Sequence, residues 1–375
     1  MTTLNISKIS IARLHKLNAV LQSHSLDGLA LNPAPSLTYL TGLHFHLSER
    51  PVVALFPKNA PPLIVLPELE APKLAAASFE LRAFPYGENP AAWDAAFRQA
   101  VQESGLSGAR IGVEPAGMRV LELRYLEAAA PRAQFVSGEE VLAALRMIKD
   151  EAEIAAMQHA VDIAQSALQA TLPAIRPGIT EKEIAAELTL QLLRHGSEFP
   201  FPFQPIVSGG ENGANPHAVP GDRPLRDGDL LVIDYGAAVD GYFSDITRTF
   251  AIGDPAPELR KIVEIVEQAN AAGRAAAGPG VPASAVDKAA RDVIETAGYG
   301  EYFTHRTGHG LGLEVHEPPF IRSDNGQILQ PGMTFTIEPG IYLPGRGGTR
   351  IEDDVLITDD GCQSLTNLPR SLWRL

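Results

Sequence analysis

The stretch LLVIDYGAAVDGYFSDITRTF, residues 230–250, decides how the second half of the chain folds. Asp240-Gly241 sits between two apolar-rich runs, the strongest short-range signal for a β-hairpin, because both central residues of that turn need positive φ. With those two as turn residues, Val239 faces Tyr242 and Gly236 faces Asp245. Asp234 lies two positions from Gly236, so it shares a sheet face with Asp245. The two carboxylates become diagonal neighbours, roughly 7 Å apart at Cβ. That separation suits two metal ions roughly 3.5–4 Å apart with one carboxylate bridging them. The competing reading is a pair of solvated aspartates on a surface strand. Asp234, however, ends the run Leu230-Leu231-Val232-Ile233, which reads as buried, and a bare buried carboxylate is costly.

The same logic recurs downstream. Glu338 ends the strand-like run MTFTI, Glu352 sits in TRIEDDVLI, and the turn-rich LPGRGG lies midway between them. A hairpin centred on residue 345 sets the two glutamates nearly opposite, which is unfavourable unless a cation lies between them. Between the two acidic pairs runs HRTGHGLGLEVHEPP, 305–319, where Gly308, Gly310 and Gly312 let the backbone approach a crowded centre around His309. The glycine spacing is wrong for a phosphate loop, and no helix follows. Alone, a histidine in such a loop reads as structural; beside four acidic residues, His309 reads as a ligand. His316 and His217, the latter in ANPHAVP, are further candidates. Four carboxylates with one imidazole favour Mn²⁺, Co²⁺ or Fe²⁺ over structural zinc. They also leave two divalent ions near zero net charge and able to acidify a bridging water.

Outward from this region, helical blocks precede strands, which indicates an α+β domain with an antiparallel sheet. The helical blocks run from about Glu139 to Thr171, from Thr180 with a Thr180/Glu183 capping box, and near 257–298. The first third alternates a helix over 8–25 with strand-like LDGLALN, PVVALF and PLIVLP. The aperiodic AAAPRAQFVSG (128–138) suits a domain boundary. The expected organisation is a smaller α/β domain over 1–135 and a catalytic domain over 140–375. Length supports two domains, since 375 residues is more than one usual core holds. A hydrophobic content of 45% excludes disorder, and a net charge of −14 disfavours nucleic acid and anionic membranes as partners. The one cysteine, Cys362, allows no intrachain disulfide. The N-terminal MTTLNISKISIARLHKL has no apolar core of signal-peptide length, and no apolar run approaches membrane-spanning length. A cytoplasmic location is expected.

In their order and local contexts, Asp234, Asp245, His309, Glu338 and Glu352 make the chain resemble the pita-bread metallopeptidases over about residues 140–370. That family includes methionine aminopeptidase, Xaa-Pro aminopeptidase, Xaa-Pro dipeptidase (prolidase) and the metal-free creatinase. The segment with YLTG (39–42) looks like the creatinase/prolidase N-terminal domain. The resemblance implies an α+β pita-bread catalytic domain and two divalent ions, Mn²⁺ first, with Co²⁺, Fe²⁺ or Zn²⁺ as alternatives. Asp234 would chelate one ion, Asp245 and Glu352 would bridge both, and His309 and Glu338 would complete the shell. It further implies that Glu338 shuttles the proton of the attacking water, and that His217 and His316 contact substrate and tetrahedral intermediate. Arg350, two residues before Glu352 and on its strand face, would orient carboxylate ligands.

A basic residue at 350 and the extra N-terminal domain favour the proline-specific branch, and the intact ligand set disfavours creatinase. The implied reaction is hydrolysis of the bond between an N-terminal residue and proline through a metal-bridging hydroxide, on small peptides, in a homodimer. In the homodimer, the loop TGLHFHLSERP (41–51) of one copy would approach the other's site. Phe203, at the end of FPFPF (199–203), and Phe320 are candidate aromatic surfaces for the proline ring. Phe320 stands where dipeptide-specific relatives often carry a basic residue for the substrate carboxylate. This leaves dipeptidase and longer-chain aminopeptidase both open. The other readings are a metal-dependent hydrolase of a non-peptide amide on the same fold, and a catalytically silent binding homologue.

Overall fold

The computed structural model describes residues 6–375; the first five residues of the N-terminal reading above, MTTLN, lie outside them. The chain divides between Arg146 and Met147 into two units. The first runs α1 (Ile6–Ser23), β1 (Gly28–Leu31), α2 (Pro35–Thr41), β2 (Val53–Pro57), β3 (Leu63–Pro67) and β4 (Arg82–Tyr86). It continues with α3 (Trp93–Ser104), β5 (Arg110–Val113), α4 (Val120–Ala129), β6 (Gln134–Ser137) and α5 (Glu139–Arg146). The three apolar runs expected as strands are β1, β2 and β3. They are buried at every position, as strands covered on both faces must be. The sheet is mixed, in the order β4-β3-β2-β1-β5-β6. Ala30, Val53 and Val65 pack with Trp93 and Phe97 of α3 on one face.

The segment read as a boundary, 128–138, is instead partly strand. Residues 134–137 pair in parallel with β5 as an edge strand. Its end residues, Gln134 and Ser137, are exposed and its middle only half-buried, so it carries no apolar alternation for sequence reasoning to find. The block expected as one helix over 139–171 is likewise two, α5 and α6 (Glu151–Thr171). Asp150 starts the second by accepting from the amides of Ala152 and Glu153, while Glu153 reaches back to the Asp150 amide.

The second unit adds α7 (Glu181–Arg194), α8 (Pro257–Ala276) and α9 (Ala283–Thr296) to α6. Thr180 and Glu183 cap α7 as expected. One sheet orders β19 (Trp373–Arg374), β11 (Ile246–Ala251), β8 (Leu230–Tyr235) and β7 (Ile206–Gly209). The other orders β13 (Glu317–Ile321), β12 (Gly308–Gly310), β14 (Thr334–Ile337), β17 (Asp353–Thr358) and β18 (Gly361–Ser364). Two small hairpins complete it, β9 (Ala238–Val239) with β10 (Tyr242–Phe243), and β15 (Gly340–Leu343) with β16 (Gly347–Arg350).

Helices α8 and α9 cover these strands. Ile262, Val266, Ala290 and Ile294 pack on Leu230, Ile341 and Ile351, while Val286 packs with Phe335, Ile337 and Val355. Each such side chain contributes about 1.5–3 kcal/mol by burial, which fixes the strands that carry the acidic residues.

Both expected hairpin registers are observed. Asp240 (φ 51°) and Gly241 (φ 76°) form the turn, Val239 faces Tyr242, and the same register continues to Tyr235↔Ile246 and Asp234↔Thr247. At Gly236 the ladder is interrupted, and a Cβ there would stand 1.9 Å from the Ser244 carbonyl oxygen. Only glycine permits that approach, which brings the strand bearing Asp245 against the end of β8. In the second hairpin Gly340↔Arg350 and Ile337↔Asp353 share one register, so Glu338 and Glu352 fall in the break between two paired segments. Glu352 leaves its own hairpin to bridge to Thr247 of β11, tying the two acidic hairpins together. Among the described residues, no helix is long and apolar enough to cross a membrane.

Candidate functional site

Four strand ends and one glycine-rich strand converge on a cavity of about 540 Å³. Its walls include Asp234, Asp245, His309, Glu338, Glu352, Arg350, His217, His316 and Phe203. Asp245, His309 and Glu352 each offer an atom within 4.8 Å of the others, and all three are buried. His309 Nε2 lies 3.6 Å from Asp245 Oδ2 and 3.4 Å from Glu338 Oε1. Asp234 stands at the edge of this group and ion-pairs with Arg350. The glycines around His309 do what their spacing implies: a Cβ at Gly308 would lie 1.8 Å from the Thr336 carbonyl oxygen.

The electrostatics are those of unneutralised acids. Burial, then the neighbouring Glu352 and Asp234, holds the Asp245 carboxyl well above the usual range. Burial, then Glu338 and Asp234, does the same to Glu352. Burial pushes Glu338 up to about 7, opposed by Arg350. His309 is driven well below its ordinary value by burial and by His316 and Arg306, which keeps the imidazole in its neutral, ligating form. Among the described residues, Asp234 Oδ1 and Asp245 Oδ1 are buried with no hydrogen-bond partner, and such atoms are costly unless a cation meets them. Hard oxygen donors, one neutral imidazole and orphaned carboxylate oxygens together fit divalent cations.

The surroundings of these groups are tightly tied. Thr247 Oγ1 donates to Glu352 Oε2 (2.6 Å), and the Asp245 amide donates to Asp354 Oδ2 (3.0 Å). Arg350 is buried and donates to Asp234, to Thr247 Oγ1 (3.1 Å) and to the Tyr342 hydroxyl (2.9 Å). Tyr342 in turn meets His305 Nε2 at 2.8 Å. Sequence reasoning missed Thr247, Tyr342, His305 and Asp354. Thr, Tyr and Asp are too common on strands to stand out, and His305 is a lone histidine until Tyr342 is seen beside it.

His316 packs edge-on against the His309 ring at 4.2 Å, and His217 lies on the exposed rim. Buried Lys149 pairs with Glu317 (2.6 Å) and steadies the strand next to His316. The two aromatic candidates separate. Phe203 lines the cavity, whereas Phe320 does not; its ring lies under the Arg306 guanidinium, 4.6 Å from the centroid. Phe199 is exposed and touches Phe201 edge-on.

An α+β unit that gathers buried acids and a neutral imidazole beside a peptide-sized cavity has the makeup of a metal-dependent hydrolase. Residues 155–359 match the model of metallopeptidase family M24, and residues 13–148 match the creatinase/prolidase N-terminal domain. A putative dipeptidase, YkvY, of Bacillus subtilis is 37% identical over 96% of this chain and 99% of its own length. An Xaa-Pro dipeptidase of Lactobacillus delbrueckii subsp. lactis is 34% identical over 96% and 98%. The crystal structure of a dipeptidase from Pyrococcus horikoshii superposes with a TM-score of 0.91 at 40% identity, covering 97% of this chain and 100% of that one. The chain therefore belongs to metallopeptidase family M24. It is a metallopeptidase with the two-domain pita-bread fold, a creatinase/prolidase-type domain preceding the catalytic one.

Proposed function

We propose that this metallopeptidase is a dinuclear exopeptidase that hydrolyses the bond between an N-terminal residue and proline. The observation that carries the reading is the buried Asp245–His309–Glu352 group, with Asp234 and Glu338 beside it and orphaned carboxylate oxygens within it. These five residues would hold two divalent ions, Mn²⁺ first among them. When bound, such ions supply Lewis acidity and a water acidified to near neutral pKa.

The protein's own groups do the rest. Arg350, held by Thr247 and Tyr342, orients the Asp234 carboxylate. Glu338 accepts a proton from the attacking water and delivers it to the proline nitrogen as the C–N bond breaks. His316 and His217 hydrogen-bond the scissile carbonyl oxygen as charge develops on it. The amide before proline has no N–H, so recognition rests on a surface for the ring. Phe203, Ile206, Pro216 and Val315 supply apolar wall in the cavity. The similarity to an Xaa-Pro dipeptidase over nearly the full length supports the substrate class.

A panel of Xaa-Pro and matching Xaa-Ala dipeptides, assayed with Mn²⁺, tests the specificity. The expected result is a kcat/KM advantage for proline of about 100-fold or more, at the upper end of what apolar contacts give. Equal turnover of both series would remove the proline part of the reading. The reading also includes a homodimer in which the loop over 41–51 approaches the partner copy's site. A monomer by sedimentation at micromolar concentration, with full activity, would remove that part.

A further inference from the structure

We infer that Arg306, stacked on Phe320, anchors the free carboxylate of the substrate and so makes this chain a dipeptidase rather than a longer-chain aminopeptidase. The inference rests on the exopeptidase reading above but not on its preference for proline.

Three cavity arginines are candidates for an anionic group, and two are engaged. Arg350 is buried against Asp234, Thr247 and Tyr342. Arg322 is exposed and pairs with Asp324 at 2.9 Å. Arg306 lines the same cavity, is half-buried, and among the described residues its guanidinium has no ion-pair or hydrogen-bond partner. It lies over the face of Phe320, an apolar floor that takes none of the guanidinium's N–H donors.

The backbone around it is held in place. The Thr307 amide donates to the Ile321 carbonyl (3.0 Å), and Thr307 Oγ1 donates to Asp287 of α9 (2.7 Å). Arg291, one turn along α9, donates to the His305 carbonyl (2.9 Å). A cation seated this firmly, near Glu338 but ion-paired with no acid among the described residues, is poised for an anion from outside. The cavity wall carries charge of both signs. Asp234, Asp245, Glu338 and Glu352 are the acids of the cavity wall, and Arg306, near Glu338, is a cation of that wall that none of them pairs with among the described residues. A dipeptide is itself divided, with an ammonium at one end and a carboxylate at the other, and longer peptides place an uncharged amide where that carboxylate would be. Phe320, which takes the place of a basic residue in the sequence, thus serves as the platform for one contributed by the segment leading into the neighbouring strand β12.

The test compares Ala-Pro, its C-terminal amide and Ala-Pro-Ala on the wild-type enzyme and on Arg306→Gln and Arg306→Lys. Wild type is expected to favour the free acid by about 100-fold in kcat/KM, because the half-buried guanidinium gains a charge-assisted pair with the carboxylate that the neutral amide cannot offer. Arg306→Gln should lose that factor on the acid, mainly through KM, and keep its rate on the amide. Arg306→Lys should restore part of the preference. Unchanged amide turnover in each variant also shows an intact fold and active centre. Equal losses on acid and amide, or a wild type indifferent to the carboxylate, would overturn the inference. If Xaa-Ala proves as good a substrate as Xaa-Pro, the same comparison is made with Ala-Ala and its amide. The two readings therefore fail separately.

Discussion

Asp245→Asn and Glu352→Gln are each expected to lower kcat/KM by about 10⁴-fold or more, and chelation of the wild-type enzyme to do the same reversibly. At 1.36 kcal/mol per decade this is about 5.5 kcal/mol, within what a Lewis-acid centre contributes. The two substitutions keep size and shape. The Asp245 amide still reaches Asp354 and the residue at 352 still meets Thr247, so the fold should hold. What changes is charge at a centre where burial already makes ionisation expensive. Metal content measured with activity decides the matter: both variants should lose bound Mn²⁺ together with turnover, and added Mn²⁺ or Co²⁺ should restore only the chelated wild type. Full turnover of metal-stripped enzyme in excess chelator would refute the dinuclear reading.

His316→Ala is expected to cost about 10³-fold in kcat and His217→Ala about 10²-fold, with metal content at the wild-type level. These are the usual scales for a donor aimed at developing negative charge. Geometry separates the pair. The His316 ring is fixed edge-on against His309 and its strand is anchored by Lys149–Glu317, whereas His217 is exposed on a loop. Burial and the nearby Arg306 and His217 hold the His316 imidazole below its ordinary pKa, so it is neutral at pH 7 and donates through one N–H. Loss of metal from His316→Ala would mean that it belongs with the ligands instead.

The chemistry of the centre was legible because it is periodic. Asp-Gly at 240–241 sets a two-residue turn, strand alternation carries Asp234 and Asp245 to one face, and the turn-rich LPGRGG does the same for Glu338 and Glu352. Each of these relations spans few residues and follows the turn register, although the ladders break at Gly236 and at Glu338 and Glu352, where Glu352 bridges to Thr247 instead. The α/β character of the first unit was legible for the same reason, since β1 to β3 are continuous apolar runs. The edge strand β6 was not, because its pairing with β5 buries too little to leave a pattern.

The local sequence alone determined the two acidic hairpins and, by its glycines, the close approach around His309. Only the tertiary structure decided which groups serve them. Glu352 reaches Thr247 across 105 residues, Arg350 reaches Asp234 across 116, and Lys149 meets Glu317 across 168. Phe320, which reads in sequence as an aromatic in place of a cation, is in the fold the floor beneath Arg306. Turn and strand geometry are short-range and repeat with a fixed period, whereas a long-range contact depends on how whole elements pack, and no local pattern encodes that.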